Sequence, residues 1–142
     1  MTDTSSAYDR PLPVPVHEDL SKPFWKATKR HELIMPKCNS CSSIFFYPRE
    51  ACPKCTSMDL DWTEVSGQGR VYSYTHVRQA VHPYFQSENG HIYAIIELLE
   101  GPKIPSNILE CEPEDIFVDM NVVATFEDVN DDFTLLKFKP GP

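Results

Sequence analysis

Two C-x-x-C units stand ten residues apart, a short helix-forming stretch precedes them, and five segments rich in β-branched and aromatic residues follow. Together these predict a mainly β chain: an N-terminal helix, a zinc ribbon, and then a five-stranded barrel of the OB type. The expected division is an extended proline-rich arm over residues 1–18, the helix plus ribbon over 19–64, and the barrel over 65–142.

In the arm, Pro11, Pro13 and Pro15 alternate with Leu12, Val14 and Val16. Proline fixes φ and lacks an N–H, so this density blocks helix and discourages sheet. The arm is expected to be a tail, or a strap laid along a partner. Ser21 then reads as a helix N-cap with Pro23 in the first turn. Phe24 and Thr28 lie four apart and share a face, and the helix is expected to end near Arg30.

Leu33-Ile34-Met35 is expected as a strand entering the first cysteine pair, Ile44 to Tyr47 as a strand leaving it, and Asp61 to Glu64 as the strand leaving the second. Two residues between cysteines let a tight turn aim both sulfurs at one ion. Two such turns supply four tetrahedral ligands at roughly 2.3 Å. Cys38, Cys41, Cys52 and Cys55 are therefore the expected ligands of one structural Zn2+. With every position filled by protein, none is left for water or substrate. The metal replaces the core that so small a module cannot build alone. Ser42 and Thr56 directly follow the second cysteine of each pair, where knuckles often carry glycine. Iron in a rubredoxin-like site and four unmetallated thiols are the alternatives.

Past Gly67 the texture changes. Arg70–Val77, His91–Leu98, Lys103–Leu109, Asn121–Glu127 and Thr134–Phe138 read as strands, with Pro105 marking an edge or bulge in the third. Glu112 to Ile116 reads as one helical turn. Five short strands in an open sheet bury too little and leave two bare edges, and closure into a barrel removes both problems.

Composition narrows the function. The formal net charge of −8 argues against nucleic acid, which needs a basic surface to displace counterions. No apolar run approaches the roughly 18 residues that span a bilayer, and Tyr93-Ala94-Ile95-Ile96 stops at Glu97. The first residues carry no basic patch and no apolar stretch, so a soluble cytoplasmic chain is expected. None of His17, His31, His76, His82 and His91 falls in a metal-ligand spacing. There is no G-x-S-x-G elbow and no phosphate-cradling glycine loop. Asp128, Asp131 and Asp132 with Asn130 read as a solvated turn. Cys111 reads as a small half-buried hydrophobe, with no basic neighbour to lower its pKa. Nothing assembles into a catalytic centre, and an enzyme built on Cys111 or His82 stands only as an alternative.

One combination of segments is informative as a set. It comprises Pro23-Phe24-Trp25, Leu33 to Cys38, Tyr47-Pro48-Arg49 before Cys52-Pro53-Lys54-Cys55, the run from Trp62 through Gly67-Gln68-Gly69 to Ser73, Glu97-Leu98 with Gly101, and Asp119-Met120-Asn121-Val122. Over about residues 20–139 the chain resembles the acyl-CoA-associated OB-fold proteins with an N-terminal rubredoxin-like zinc ribbon. The proline-rich arm lies outside the resemblance. Asp119 stands where members of that family usually have glycine, and Ile108 to Cys111 is more acidic than usual.

The resemblance implies a non-catalytic accessory subunit that binds and stabilises a thiolase-like acyl-CoA enzyme. Thiolases and side-chain aldolases of lipid or steroid degradation are the expected partners, and a MaoC-like enoyl-CoA hydratase is the alternative. It also implies a share in shaping the acyl-CoA site, with acyl-CoA as a ligand of the complex. Phe24 and Trp25 are the partner-interface candidates, against the alternative that they pack on this chain's own ribbon or barrel. His82, Pro83, Tyr84 and Phe85 are the candidates for the acyl-CoA side. A single-stranded nucleic-acid module is the remaining alternative, since ribbons and OB folds also serve that role.

Overall fold

The computed structural model describes residues 10–12, 18–86 and 89–142. The elements run α1 (Glu18–Lys29), β1 (Ile34–Cys38), β2 (Leu60–Glu64), β3 (Gln68–Val77), β4 (His91–Leu98), β5 (Lys103–Ile108), β6 (Asn121–Asp128) and β7 (Thr134–Pro140). Most of the proline-rich arm, including Pro13 and Pro15, lies outside the described residues.

The helix starts earlier than the sequence suggested. It begins at Glu18, so Ser21 lies inside it and is not the cap, and Pro23 is interior. Proline there forfeits the bond its N–H would have donated to Asp19. The buried face of Phe24, Ala27 and Thr28 holds the helix nonetheless. Its end is tied by Glu32 N–H donating to the Ala27 carbonyl at 2.9 Å, with His31 at φ 59° reversing the chain.

β1 and β2 form an antiparallel pair from Ile34↔Glu64 to Cys38↔Leu60. The expected strand from Ile44 to Tyr47 does not form. Only Ile44 makes a bridge, to Lys37, and Phe45 N–H donates once to the Pro36 carbonyl at 3.1 Å. Pro36 has no N–H to return, so the ladder on that edge stops there.

The remaining five strands close into a barrel in the order β3-β4-β5-β7-β6. β3 runs antiparallel to β4 from Gly69↔Leu98 to Val77↔His91, with a bulge between Val71 and Ser73. Its other edge meets β6 only over Gln68–Arg70. At Gly69 an added Cβ would lie 2.6 Å from the Glu97 carbonyl oxygen, so only glycine lets the two strands approach here. β5 and β7 run parallel and share one ladder pair, Ile108↔Phe138. Between β5 and β6 the expected helical turn is a single hydrogen-bonded turn, Asp115 N–H to the Glu112 carbonyl at 2.9 Å, and it buries Ile116. Asp119 follows at φ 71°, which explains why glycine suits that position. The strain is countered by Asp119 N–H donating to Val71 at 2.8 Å and by its carboxylate lying 3.1 Å from Arg70.

The core is not confined to the barrel. Phe24, Leu33 and Met35 belong to the same buried cluster as Val71, Ile96, Ile104, Val122 and Phe138. A separate small cluster of Cys38, Phe45 and Cys52, with Leu60 beside it, sits at the knuckles.

Candidate metal centre

The two knuckles repeat one backbone design. Ser42 N–H donates to the Cys38 carbonyl and Thr56 N–H to the Cys52 carbonyl, each at 2.9 Å. Cys38 N–H returns to the Ser43 carbonyl at 2.9 Å, and Cys52 N–H to that of Ser57 at 2.8 Å. Ser42 and Thr56 take φ of 64° and 65°. That left-handed turn is why knuckles favour glycine there.

These turns bring the four Sγ atoms of Cys38, Cys41, Cys52 and Cys55 within 4.8 Å of one another. Cys38 and Cys55 are 3.5 Å apart, and Cys41 and Cys52 are 3.6 Å apart. A tetrahedron with bonds of roughly 2.3 Å has edges of about 3.8 Å, so the cluster fits one such ion. Two ligands are buried and two are exposed. Backbone N–H groups point at the sulfurs, from Cys41 to Cys38 at 3.5 Å and from Lys54 to Cys52 at 3.4 Å.

The thiols do not ionise alike. The Cys41 N–H holds Cys38 below the usual thiol range. Ser43, through its hydroxyl and then its backbone, brings Cys41 down to about 6. For Cys55 the largest influence, the Ser57 backbone, is also lowering. Hydrogen bonds shared with Cys38, Cys41 and Cys52, together with burial, outweigh it and push Cys55 up to about 12. Four sulfurs this close cannot all carry charge without a cation among them.

The other expected site residues lie elsewhere. Phe24 is only 8 % exposed and packs edge-on to Trp25 at 5.2 Å and against Phe46 at 5.7 Å. It belongs to the core, which corrects the expectation that it docks on a partner. Trp25 is half-buried, with Phe133 at 5.4 Å on its other side. His82 caps a 3-10 turn over Pro83–Phe85, its Nδ1 accepting from Tyr84 N–H at 3.1 Å. Tyr84 and Phe85 line a cavity of about 440 Å3 at the barrel end, together with Cys111 and Lys137. Arg10 reaches this cavity, pairs with Glu127 and lies 5.8 Å from the Tyr84 ring. Cys111 is half-buried and packs on the main core. Its thiol is pushed up, first by burial and then by Asp115, Glu112 and Glu114.

The solvated turn is an Asx turn. Asn130 Oδ1 accepts from Asp132 N–H at 2.8 Å and Phe133 N–H at 2.9 Å. Sequence reasoning missed two pairs that long-range packing creates: His31, just past the helix, with Asp128 at 2.9 Å, and Lys137 with Asn107 at 2.6 Å. No local spacing announces either. On the barrel surface Arg70, Lys103 and Lys139 each face a carboxylate, an arrangement ill-suited to a phosphate backbone.

A four-cysteine ribbon joined to a closed five-stranded barrel defines a zinc-ribbon OB-fold protein. A family model described as the rubredoxin-like zinc ribbon domain of ChsH2 matches residues 25–61, and one described as the C-terminal OB-fold domain of ChsH2 matches residues 62–127. The chain is 37 % identical over 110 residues to a DUF35 domain-containing scaffold protein of Methanocaldococcus jannaschii, covering 76 % of this chain and 77 % of that one. It is 34 % identical over 119 residues to a probable enoyl-CoA hydratase alpha subunit of Thermomonospora curvata, covering 83 % of this chain but 37 % of that subunit. Among solved structures, one described as the Ltp2-ChsH2(DUF35) aldolase superposes with a TM-score of 0.79 at 30 % identity, covering 89 % of this chain and 98 % of that one. A DUF35 protein of unknown function from Sulfolobus solfataricus shares the fold, with a TM-score of 0.59 at 18 % identity over 86 % of this chain and 85 % of that one. The chain belongs to the DUF35 family of zinc-ribbon, OB-fold scaffold proteins.

Proposed function

We propose that this protein is a non-catalytic accessory subunit that binds and stabilises a thiolase-like acyl-CoA enzyme, such as a side-chain aldolase of lipid or steroid degradation, and helps shape its acyl-CoA site. The observation that carries the reading is the likeness to the Ltp2-ChsH2(DUF35) aldolase chain, which extends over 98 % of that chain. The chemistry of the described residues agrees with it. Cys111 is held protonated by burial and acidic neighbours, and His82 is engaged in capping a turn. Cys38, Cys41, Cys52 and Cys55 hold one structural zinc, which fixes the knuckles and leaves no open coordination position. The reduced thiols it needs suit the cytoplasm. Trp25 is the interface candidate that keeps an exposed edge, and the turn at Pro83, Tyr84 and Phe85 is the segment offered to the acyl-CoA.

A MaoC-like hydratase partner is the second reading, supported by the hydratase alpha subunit of T. curvata. Affinity purification of the tagged chain from its own cells, with mass spectrometry of co-purifying proteins, separates the two. A stoichiometric thiolase-like chain supports the first reading and a hydratase chain the second. Recovery of the protein alone, or with nucleic acid, overturns both.

A further inference from the structure

Beyond the pair Ile108↔Phe138, side chains stitch the seam between β5 and β7. Ser106 Oγ donates to the Leu136 carbonyl at 3.0 Å, and Lys137 Nζ donates to Asn107 Oδ1 at 2.6 Å. Lys137 is half-buried, and burial pulls its ammonium below the ordinary lysine value. Glu127 acts against that shift and Arg10 reinforces it. The hydrogen-bond acceptor of Lys137 is a neutral amide. Glu127, the carboxylate whose charge bears on it, is paired with Arg10. Two cations thus share one carboxylate. A partly buried ammonium in that position is costly until an anion completes it.

The same lysine, which also lines the barrel-end cavity, is among the described residues the one charged side chain lining an apolar groove of about 480 Å3 between the helix–ribbon module and the barrel wall. Trp25, Phe46 and Tyr47 line it from one side, and Tyr93, Pro105 and Leu136 from the other. Tyr47 and Tyr93 are 53 % and 45 % exposed, so both modules present an aromatic ring to whatever enters. The volume lies within the roughly 300–1,000 Å3 of small-molecule sites, and a mainly apolar wall with a few placed polar groups is their usual composition.

We propose that this groove binds a small amphipathic carboxylic acid, with an aliphatic or alicyclic body against the aromatic walls and its free carboxylate on Lys137 and Asn107. The ligand is the acid and not its thioester, because only the free carboxylate brings the missing charge. The groove is open in the isolated chain, so its occupant can be tested there without the enzyme, for which Trp25 is also the interface candidate.

The test uses the full zinc-loaded chain with Trp62→Phe, which leaves Trp25 as the fluorophore in the groove. The probe is an undecanoate carrying a terminal bromine, which quenches tryptophan on contact, and the control is the matching bromo-alcohol. The acid is expected to quench saturably, and the alcohol to bind at least about tenfold more weakly, the loss expected for one charged hydrogen bond. Lys137→Gln is expected to reduce acid binding to the level of the alcohol, and Lys137→Arg to restore it. Absence of quenching by the acid overturns the proposal. So does equal binding of acid and alcohol, a comparison that needs no variant at Lys137. So does acid binding that Lys137→Gln leaves unchanged while zinc content and circular dichroism stay intact. The co-purifying enzyme is a separate readout, so failure here leaves the partner reading standing.

Discussion

Replacing Cys52 with alanine removes one of four sulfurs that lie within 4.8 Å of one another. A structural zinc contributes roughly 10–16 kcal/mol to modules of this size at neutral pH. The apolar support at the knuckles is thin by comparison. Cys38, Phe45 and Cys52 are its buried side chains, and burying a phenylalanine fully is worth about 3 kcal/mol at most. The metal therefore dominates, and the variant is expected to carry no zinc and to lose the fold of residues 39–59. The loss should stop there. Leu33 and Met35, 4 % and 0 % exposed, pack into the barrel's cluster, and Val65 N–H donates to the Leu33 carbonyl at 3.0 Å. Zinc content by atomic emission and hydrogen exchange read by mass spectrometry check both parts. Fast exchange across 39–59 with β3 and β4 still protected is the expected pattern. A soluble variant with full zinc content and protected knuckles would refute the ligand assignment. Loss of protection throughout the barrel would refute the argument for two separate cores.

Phe138→Ala empties a fully buried site at the barrel seam and should cost about 3–5 kcal/mol, lowering the urea midpoint by about 1 M or more; a shift under about 0.5 M would mean the barrel collapses onto the gap. The Asp128 carboxyl is held below its ordinary range, first by the Thr134 hydroxyl and then by His31. A depressed folded-state pKa gives stability that is present above the unfolded value and is lost as pH falls through the folded one. Asp128→Asn should therefore be less stable than the parent at neutral pH, and the gap should close below about pH 4 in urea titrations; a gap that persists there would contradict the linkage. Cys111 in the zinc-loaded protein should react with iodoacetamide more slowly than free glutathione at neutral pH, because burial and three acidic neighbours keep it protonated. Equal rates, measured by peptide mass spectrometry, would argue against that environment.

The metal centre was the most legible part of the sequence, because chelation by two tight turns is a local property written in the spacing of Cys38, Cys41, Cys52 and Cys55. The five barrel strands were legible for a related reason. Each is a short run of β-branched or aromatic residues between breakers, and closure answers a problem that any five-stranded sheet has. Where the sequence misled, a longer-range contact decided. The helix extends back to Glu18 and includes Pro23 because its Phe24 face has a core to cover. Phe24 and Trp25 are adjacent aromatics that look alike in sequence, yet one points into the common core and the other stays half-open. Ile44 to Tyr47 has strand composition but faces Pro36, which cannot donate. Lys137 and Asn107 stand thirty residues apart, and only the crossing of β5 and β7 brings them together.

The parallel pairing of β5 with β7 also imposes an order on synthesis. The chain emerges from its N-terminus, so β3, β4 and β5 exist first as a three-stranded meander. Ile96, Ile104 and Ile108 on its inner face lack the opposite barrel wall until β6 and β7 follow, with the earlier Phe24, Leu33 and Met35 as partial cover. Phe138 is among the last residues of the final strand, and the ladder partner it offers Ile108 closes the ring. A nascent chain that stalls before that point presents an apolar face and two bare strand edges, the surface that chaperones recognise and that neighbouring chains join.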